Sequence, residues 1–263
     1  MSRVIVVTGG KGGVGKTTVC ANLGAAVARA GYKVAVMDVD IGLNNLDVAL
    51  AVENRVVYDL VDVIENRCRP RQALLETECQ NLFIMPSSHA YDKSKVTGQN
   101  IKYVVNILSE TFDFVLLDCP AGVEAGFHRA VAASSEALVV TTPHISAIRD
   151  SSKVLAILAT YELAEPYVVV NRMRGDLVLN GEMPGVSDIR ELLGTEITGV
   201  IPEDDIISSA CAAGKTLISD SGAGGAFSLL AENVITGSRL IYDCTAKYRG
   251  FWGGIKRQLR KIT

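Results

Sequence analysis

Gly10-Lys11-Gly12-Gly13-Val14-Gly15-Lys16-Thr17 satisfies the spacing G-x-x-x-x-G-K-[ST], and Thr18 follows it directly. Glycines at these positions permit positive φ and close backbone approach, so successive N–H groups can wrap phosphate oxygens at the start of a helix. Lys16 is then placed to reach the β- and γ-phosphates of a nucleotide, and the Thr17 hydroxyl to ligate Mg²⁺. A second lysine, Lys11, stands inside the loop. It either offsets charge on the leaving phosphates, as an arginine finger does, or simply faces solvent. Carboxylates for metal and water are also at hand: Asp38 and Asp40 follow the apolar run Val34-Ala35-Val36-Met37, and Asp118 closes Phe114-Val115-Leu116-Leu117. A carboxylate at the tip of a buried strand is suited to hold Mg²⁺, usually through water, whereas one such residue alone could equally be a helix N-cap. Three of them with one glycine loop favour the metal.

Groups so far apart in sequence can meet only if the fold brings the ends of several strands together. Hydrophobic periodicity predicts strands over residues 4–8, 34–38, 82–86, 114–118, 137–142, 167–171 and 198–201. Several are unbroken apolar runs, as expected of parallel strands buried on both faces. Between them, helical spacing predicts helices over 17–30, 58–66, 101–110, 146–161, 186–193 and 227–242. This alternation predicts an α/β fold, a doubly wound and mostly parallel sheet flanked by helices, with ligands at the carboxyl ends of the strands.

Beyond the glycine loop, a family likeness emerges. Lys11–Thr18 resembles the deviant Walker A box of the MinD/ParA family of P-loop NTPases, whose signature lysine reaches across a nucleotide-sandwiched dimer. The likeness covers nearly the whole chain. Residues 38–47 are similar to the family's first switch and 118–122, Asp-Cys-Pro-Ala-Gly, to its second. Asn171-Arg172 and residues 200–204 resemble the adenine-binding edge, and Arg149-Asp150-Ser151 the helix start that contacts regulators. The resemblance implies ATP and Mg²⁺ as cofactors, an ATP-dependent homodimer, and in-line attack of water on the γ-phosphate. By it, Lys11, Lys16 and Asp40 carry the chemistry, with Asp40 positioning the water. Asp38 and Asp118 support Mg²⁺ beside Thr17, and Asn171, Arg172, Pro202 and Asp204 hold the adenine. It further implies a role in placing the bacterial division septum. The partners would be a MinC-like division inhibitor and a MinE-like ATPase activator, met through Arg149 and Asp150.

Composition sets outer bounds. The 263 residues are 48% apolar and 21% charged, ordinary values for a folded globular protein. The net charge of −3 is unevenly spread: six basic residues and no acidic one occur from Lys247 onward, leaving 20 basic against 29 acidic before it. So acidic a body is a poor general binder of nucleic acid, and none is expected as a partner. No apolar run approaches the roughly 18 residues of a membrane span, and Val4 to Val7 is too short for a signal-peptide core. Six scattered cysteines without C-x-x-C spacing argue for the reduced thiols of a cytoplasmic protein.

The basic tail has its own pattern. On a helical wheel Phe251, Trp252, Ile255, Leu259 and Ile262 fall within an arc of about 100°. Arg249, Lys256, Arg257, Arg260 and Lys261 occupy a separate arc of about 140°. A basic helix with Trp and Phe opposite is the pattern of an interfacial membrane anchor, the alternatives being packing on the domain, DNA binding or an uninvolved tail. Sequence therefore divides the chain into an ATPase domain at 1–245 and a membrane-targeting tail at 246–263. It predicts a cytoplasmic protein, peripheral on the inner face of the cell membrane through an anionic surface. The rival readings are a ParA-like DNA-partition ATPase, a flagellar-number-regulating relative, and an iron–sulfur ATPase that would need cysteines from two subunits to meet.

Overall fold

A computed structural model of the chain describes residues 2–42, 45–88, 96–217, 222–250 and 253. Eight strands form one sheet: β1 (Arg3–Thr8), β2 (Val34–Asp38), β3 (Leu75–Glu76), β4 (Leu82–Met85), β5 (Phe114–Asp118), β6 (Glu136–Thr141), β7 (Tyr167–Met173) and β8 (Gly199–Pro202). Their spatial order is β3-β4-β2-β5-β1-β6-β7-β8. Every pairing is parallel except β3 with β4.

The alternation of side chains along the central strands builds two cores. Ile5 and Val7 join Val36, Leu116 and Val140 on the face covered by α1 (Lys16–Arg29) and α11 (Gly222–Thr236). Val4 and Val6 join Met37, Val115, Leu117 and Val139 on the opposite face. That face packs against α3 (Leu60–Ile64), α5 (Gly98–Ser109), α6 (Ala125–Ala132) and α7 (Ile145–Leu158). Because both faces are covered, the strands read as continuous apolar runs, and their positions agree with the sequence expectation. β1 lies at the middle of the sheet, so the loop that leaves its carboxyl end is flanked by the ends of β5 and β6.

Several expectations are corrected. The last long helix spans Gly222–Thr236 instead of 227–242. It ends because Gly237 adopts φ 76° and returns its N–H to the Asn233 carbonyl at 2.9 Å, a left-handed stop. The helix packs along α1 and β8, and this tertiary packing overrides the low intrinsic propensity of its glycine-rich first turn. Short helices α2 (Leu46–Ala49), α4 (Pro70–Ala73), α8 (Gly175–Leu179) and α10 (Asp205–Ala212), along with α6, fall outside the helices that the periodicity predicts, whereas α9 (Val186–Leu193) coincides with one of them. Phe251, Trp252, Ile255, Lys256, Arg257, Leu259, Arg260, Lys261 and Ile262, the residues of the expected anchor, lie outside the described residues. No helix among the described residues is long and apolar enough to cross a membrane.

Candidate nucleotide site

The loop between β1 and α1 is shaped by its glycines. Gly13 and Gly15 have φ of 79° and 92°, and Gly15 is the N-cap of α1. Helices α3 and α5 begin with reciprocal capping boxes, Asp59 with Asp62 and Thr97 with Asn100. Helix α1 has no side-chain cap, and none of the residues in its first turn is acidic. Its first backbone N–H groups and the positive end of its dipole are therefore directed at the cleft, as anion binding requires. Lys16 is buried beneath this loop, while Lys11, Gly12 and Gly13 are exposed at its rim. The two lysines thus occupy different environments in one turn.

Asn171, at the end of β7, locks the loop from the side. Its Nδ2 donates to the Val14 carbonyl at 2.8 Å, and its Oδ1 accepts the Arg172 N–H at 3.0 Å. The carboxamide retains capacity for one more bond of each kind. A Cβ on Gly15 would stand 2.3 Å from Asn171 Nδ2, in addition to the strain of a positive φ. Gly15→Ala is therefore expected to cost about 2 kcal/mol of stability, lowering Tm by several degrees in thermal melts. Part of that loss should return in Gly15→Ala/Asn171→Ala, since the steric component is shared by the pair.

Asp38 and Asp118 are register partners on adjacent strands, both buried, at the carboxyl edge beside the loop. The two carboxylates differ in what they bind. Asp38 Oδ1 accepts the Asp40 N–H at 2.9 Å and its Oδ2 the Leu46 N–H at 3.2 Å, so it organises the turn that carries Asp40. Asp118 Oδ1 is buried without a hydrogen-bond partner. Burial pushes both acids up, Asp38 well above the carboxylate range and Asp118 to about 7. The Asp118 charge adds to the rise at Asp38 and the Asp40 charge to that at Asp118, while the Thr17 hydroxyl and Lys16 pull Asp118 back down. Two buried acids with one orphaned oxygen and a threonine hydroxyl form a site short of positive charge. Hard oxygen donors of this kind fit Mg²⁺. Among the described residues no group of three His, Cys, Asp or Glu side chains could hold a metal alone, so an ion here would share its shell with phosphate and water.

Asp40 is half-buried and lines, with Gly12, Gly13, Lys16, Thr17 and Thr18, a cleft of about 450 Å³. Val48 and Ala49 also line it, and no sequence motif singles them out. A larger cavity of about 680 Å³ adjoins it, sharing Asp40 and Ala121. Burial pushes the Cys119 thiol to about 12, so it is not poised as a thiolate ligand.

The expected adenine edge lies on the Asn171 side of the loop. Arg172 has φ 59° and pairs with Glu203 at 4.0 Å, across the bulge where Met173 meets Pro202. Pro202 is buried, and Asp204 Oδ1 accepts the Ile206 N–H at 3.1 Å at the start of α10. Arg149 is exposed on α7, and Asp150 packs its backbone against Gly10. The expected regulator contacts therefore abut the phosphate loop itself.

A strand, a glycine loop opening an uncapped helix, and a pair of strand-end carboxylates at the switch of a parallel sheet define a P-loop nucleotide-binding domain. Residues 5–218 match the CobQ/CobB/MinD/ParA nucleotide binding domain, and the chain belongs to that family, in its MinD branch. It is 44% identical over 223 residues to the septum site-determining protein MinD of Bacillus subtilis, covering 84% of this chain and 83% of that protein. It superposes on a chain of the MinC:MinD cell division protein complex from Aquifex aeolicus with a TM-score of 0.82. The identity there is 36%, and the match covers 91% of this chain and 97% of the other. MinD complexed with Mg-ADP from Pyrococcus horikoshii gives a TM-score of 0.80 at 32% identity, covering 90% and 97%.

Proposed function

We propose that the protein is a Mg·ATP-dependent dimerising switch that binds the inner membrane surface in its ATP state and helps place the division septum. The observation that carries this reading is the division of labour between two lysines in one loop. Lys16 is buried where the β- and γ-phosphates of a bound nucleotide would lie, and Lys11 is exposed on the rim. An exposed loop cation adds little to a nucleotide held by one subunit but can complete the site of a facing copy. Exposed apolar side chains around that rim support a closing surface. Val48 is 53% exposed on the cleft wall, and Val123 and Ile145 follow the ends of β5 and β6.

Mg²⁺ would be held by the Thr17 hydroxyl, with Asp118 and Asp38 as its outer carboxylates, and would neutralise charge developing on the phosphates. Loop N–H groups and Lys16 orient the triphosphate. Asp40, fixed by the bond from its N–H to Asp38, directs a water at the γ-phosphate from the open side of the cleft. Asn171, Arg172, Pro202 and Asp204 form the base edge. The MinC partnership named for the Aquifex neighbour supports a similar inhibitor here, and an activator would meet Arg149 and Asp150 next to Gly10. The acidic body favours membrane over DNA as the surface contacted by the tail.

Asp40→Ala tests the chemistry. It is expected to keep ATP binding and the dimer, while phosphate release falls by about 10²-fold or more as water positioning is lost. Light scattering and a phosphate-release assay on the same sample check both halves. Full turnover in this variant would move the water-positioning role away from Asp40.

A further inference from the structure

The chain does not leave the folded body where its basic tail begins. Asp243 Oδ1 accepts the Thr245 N–H at 2.9 Å and the Thr245 hydroxyl at 2.6 Å. The next residues, Ala246–Tyr248, form a 3-10 turn in which the Tyr248 N–H reaches the Thr245 carbonyl at 2.9 Å. Cys244 and Tyr248 are each 5% exposed, and Cys244 joins the core beneath Val170, Met173 and Val200. This root rests on the first turn of α8. A Cβ on Gly175 would stand 2.0 Å from the Cys244 carbonyl oxygen, so only glycine allows the two backbones to meet there.

The same root reaches both sides of the candidate adenine edge. On one side is the turn after Arg172, where Arg174 is clamped on the buried Asp176 at 3.1 and 2.5 Å. Arg174 is the N-cap of α8, the helix against which the turn holding Tyr248 packs. On the other side, Lys247 Nζ stands 4.0 Å from Asp204 Oδ2, while the other oxygen of Asp204 starts α10. Glu203 ties the two sides together, its N–H donating to the Met173 carbonyl at 3.0 Å.

We infer that residues 243–248 are a structural part of the base-recognition edge, with Lys247 and Tyr248 positioning Asp204 and the 172–176 turn. The inference rests on the adenine-nucleotide reading of the site. It carries a reciprocal consequence: if the root steadies the loops that meet the base, then the base must steady the root, by the same coupling free energy. Phosphates alone, held at the far end of the cleft by α1, should not.

Hydrogen exchange on the full chain tests this with no nucleotide, Mg·ADP and Mg·tripolyphosphate. Exchange at residues 12–18 reports occupancy of the loop, and exchange at 245–249 reports the root. Both ligands are expected to slow exchange in the loop, and only Mg·ADP to slow it in the root, by several-fold. Lys247→Glu should weaken Mg·ADP about three- to fivefold, as befits loss and reversal of an exposed pair, and leave tripolyphosphate unchanged. Lys247→Arg should restore the affinity for Mg·ADP. Protection of the loop by Mg·ADP with an unchanged root, equal protection of the root by both ligands, or an equal loss of both ligands in Lys247→Glu would overturn the inference. Absence of loop protection by Mg·ADP would instead overturn the nucleotide reading, and this inference with it.

Discussion

Lys11→Ala is expected to bind ATP close to the wild-type level yet remain monomeric, with hydrolysis reduced on the order of 10³-fold, the scale of a lost cationic finger. The reason is positional. Lys11 sits on the exposed rim of its own loop, so its removal takes little from a nucleotide bound in the same subunit. It removes the charge that would meet the phosphates of a facing copy. Lys16→Ala provides the contrast, because that side chain is buried beneath the loop and its loss should weaken nucleotide binding itself. Equilibrium binding, light scattering and phosphate release on the two variants separate these roles. Normal ATP-dependent dimerisation by Lys11→Ala would exclude the in-trans role.

Deleting residues 250–263 is expected to abolish binding to anionic vesicles while sparing the fold and ATP binding. The cut leaves Tyr248 in its buried place and removes the whole apolar arc with all of the basic arc except Arg249. Each basic residue near an anionic surface contributes about 1 kcal/mol, and the apolar face adds a few more. A single tail therefore binds reversibly. Two tails held in one dimer gain roughly 10²- to 10⁴-fold in avidity without any new contact. Ile255→Glu should come close to the deletion by placing a charge within the apolar arc. Sedimentation with anionic vesicles measures both variants, and circular dichroism confirms that they are folded. ATP-dependent vesicle binding by the truncated protein would contradict the anchor.

The parts of this architecture that depend on local pattern were legible in the sequence. The apolar runs of β2 and β5 mark buried parallel strands, and the glycine spacing before Lys16 marks the phosphate loop. What needed the structure was set by contacts distant along the chain. Strand β3 is two residues long and exists only because Leu75 and Glu76 pair with Ile84 and Phe83. Helix α6 begins at Ala125-Gly126 without a side-chain cap, so neither propensity nor capping announces it. The pairing of Asp38 with Asp118 depends on strand order, and the bond from Asn171 to Val14 spans 157 positions. No periodicity reveals such contacts. Likewise, the composition shift near residue 245 marks a change in charge, yet the packed body continues through Tyr248, which is buried in a turn that packs against α8.

The central claim is that the γ-phosphate controls residence on a membrane. The full-length protein, sedimented with anionic vesicles in Mg·ATP, in Mg·ADP and without nucleotide, tests it most directly. Strong binding is predicted in ATP, with only weak binding in the other two conditions, because paired tails require the closed dimer. Equal binding in all three would contradict the account.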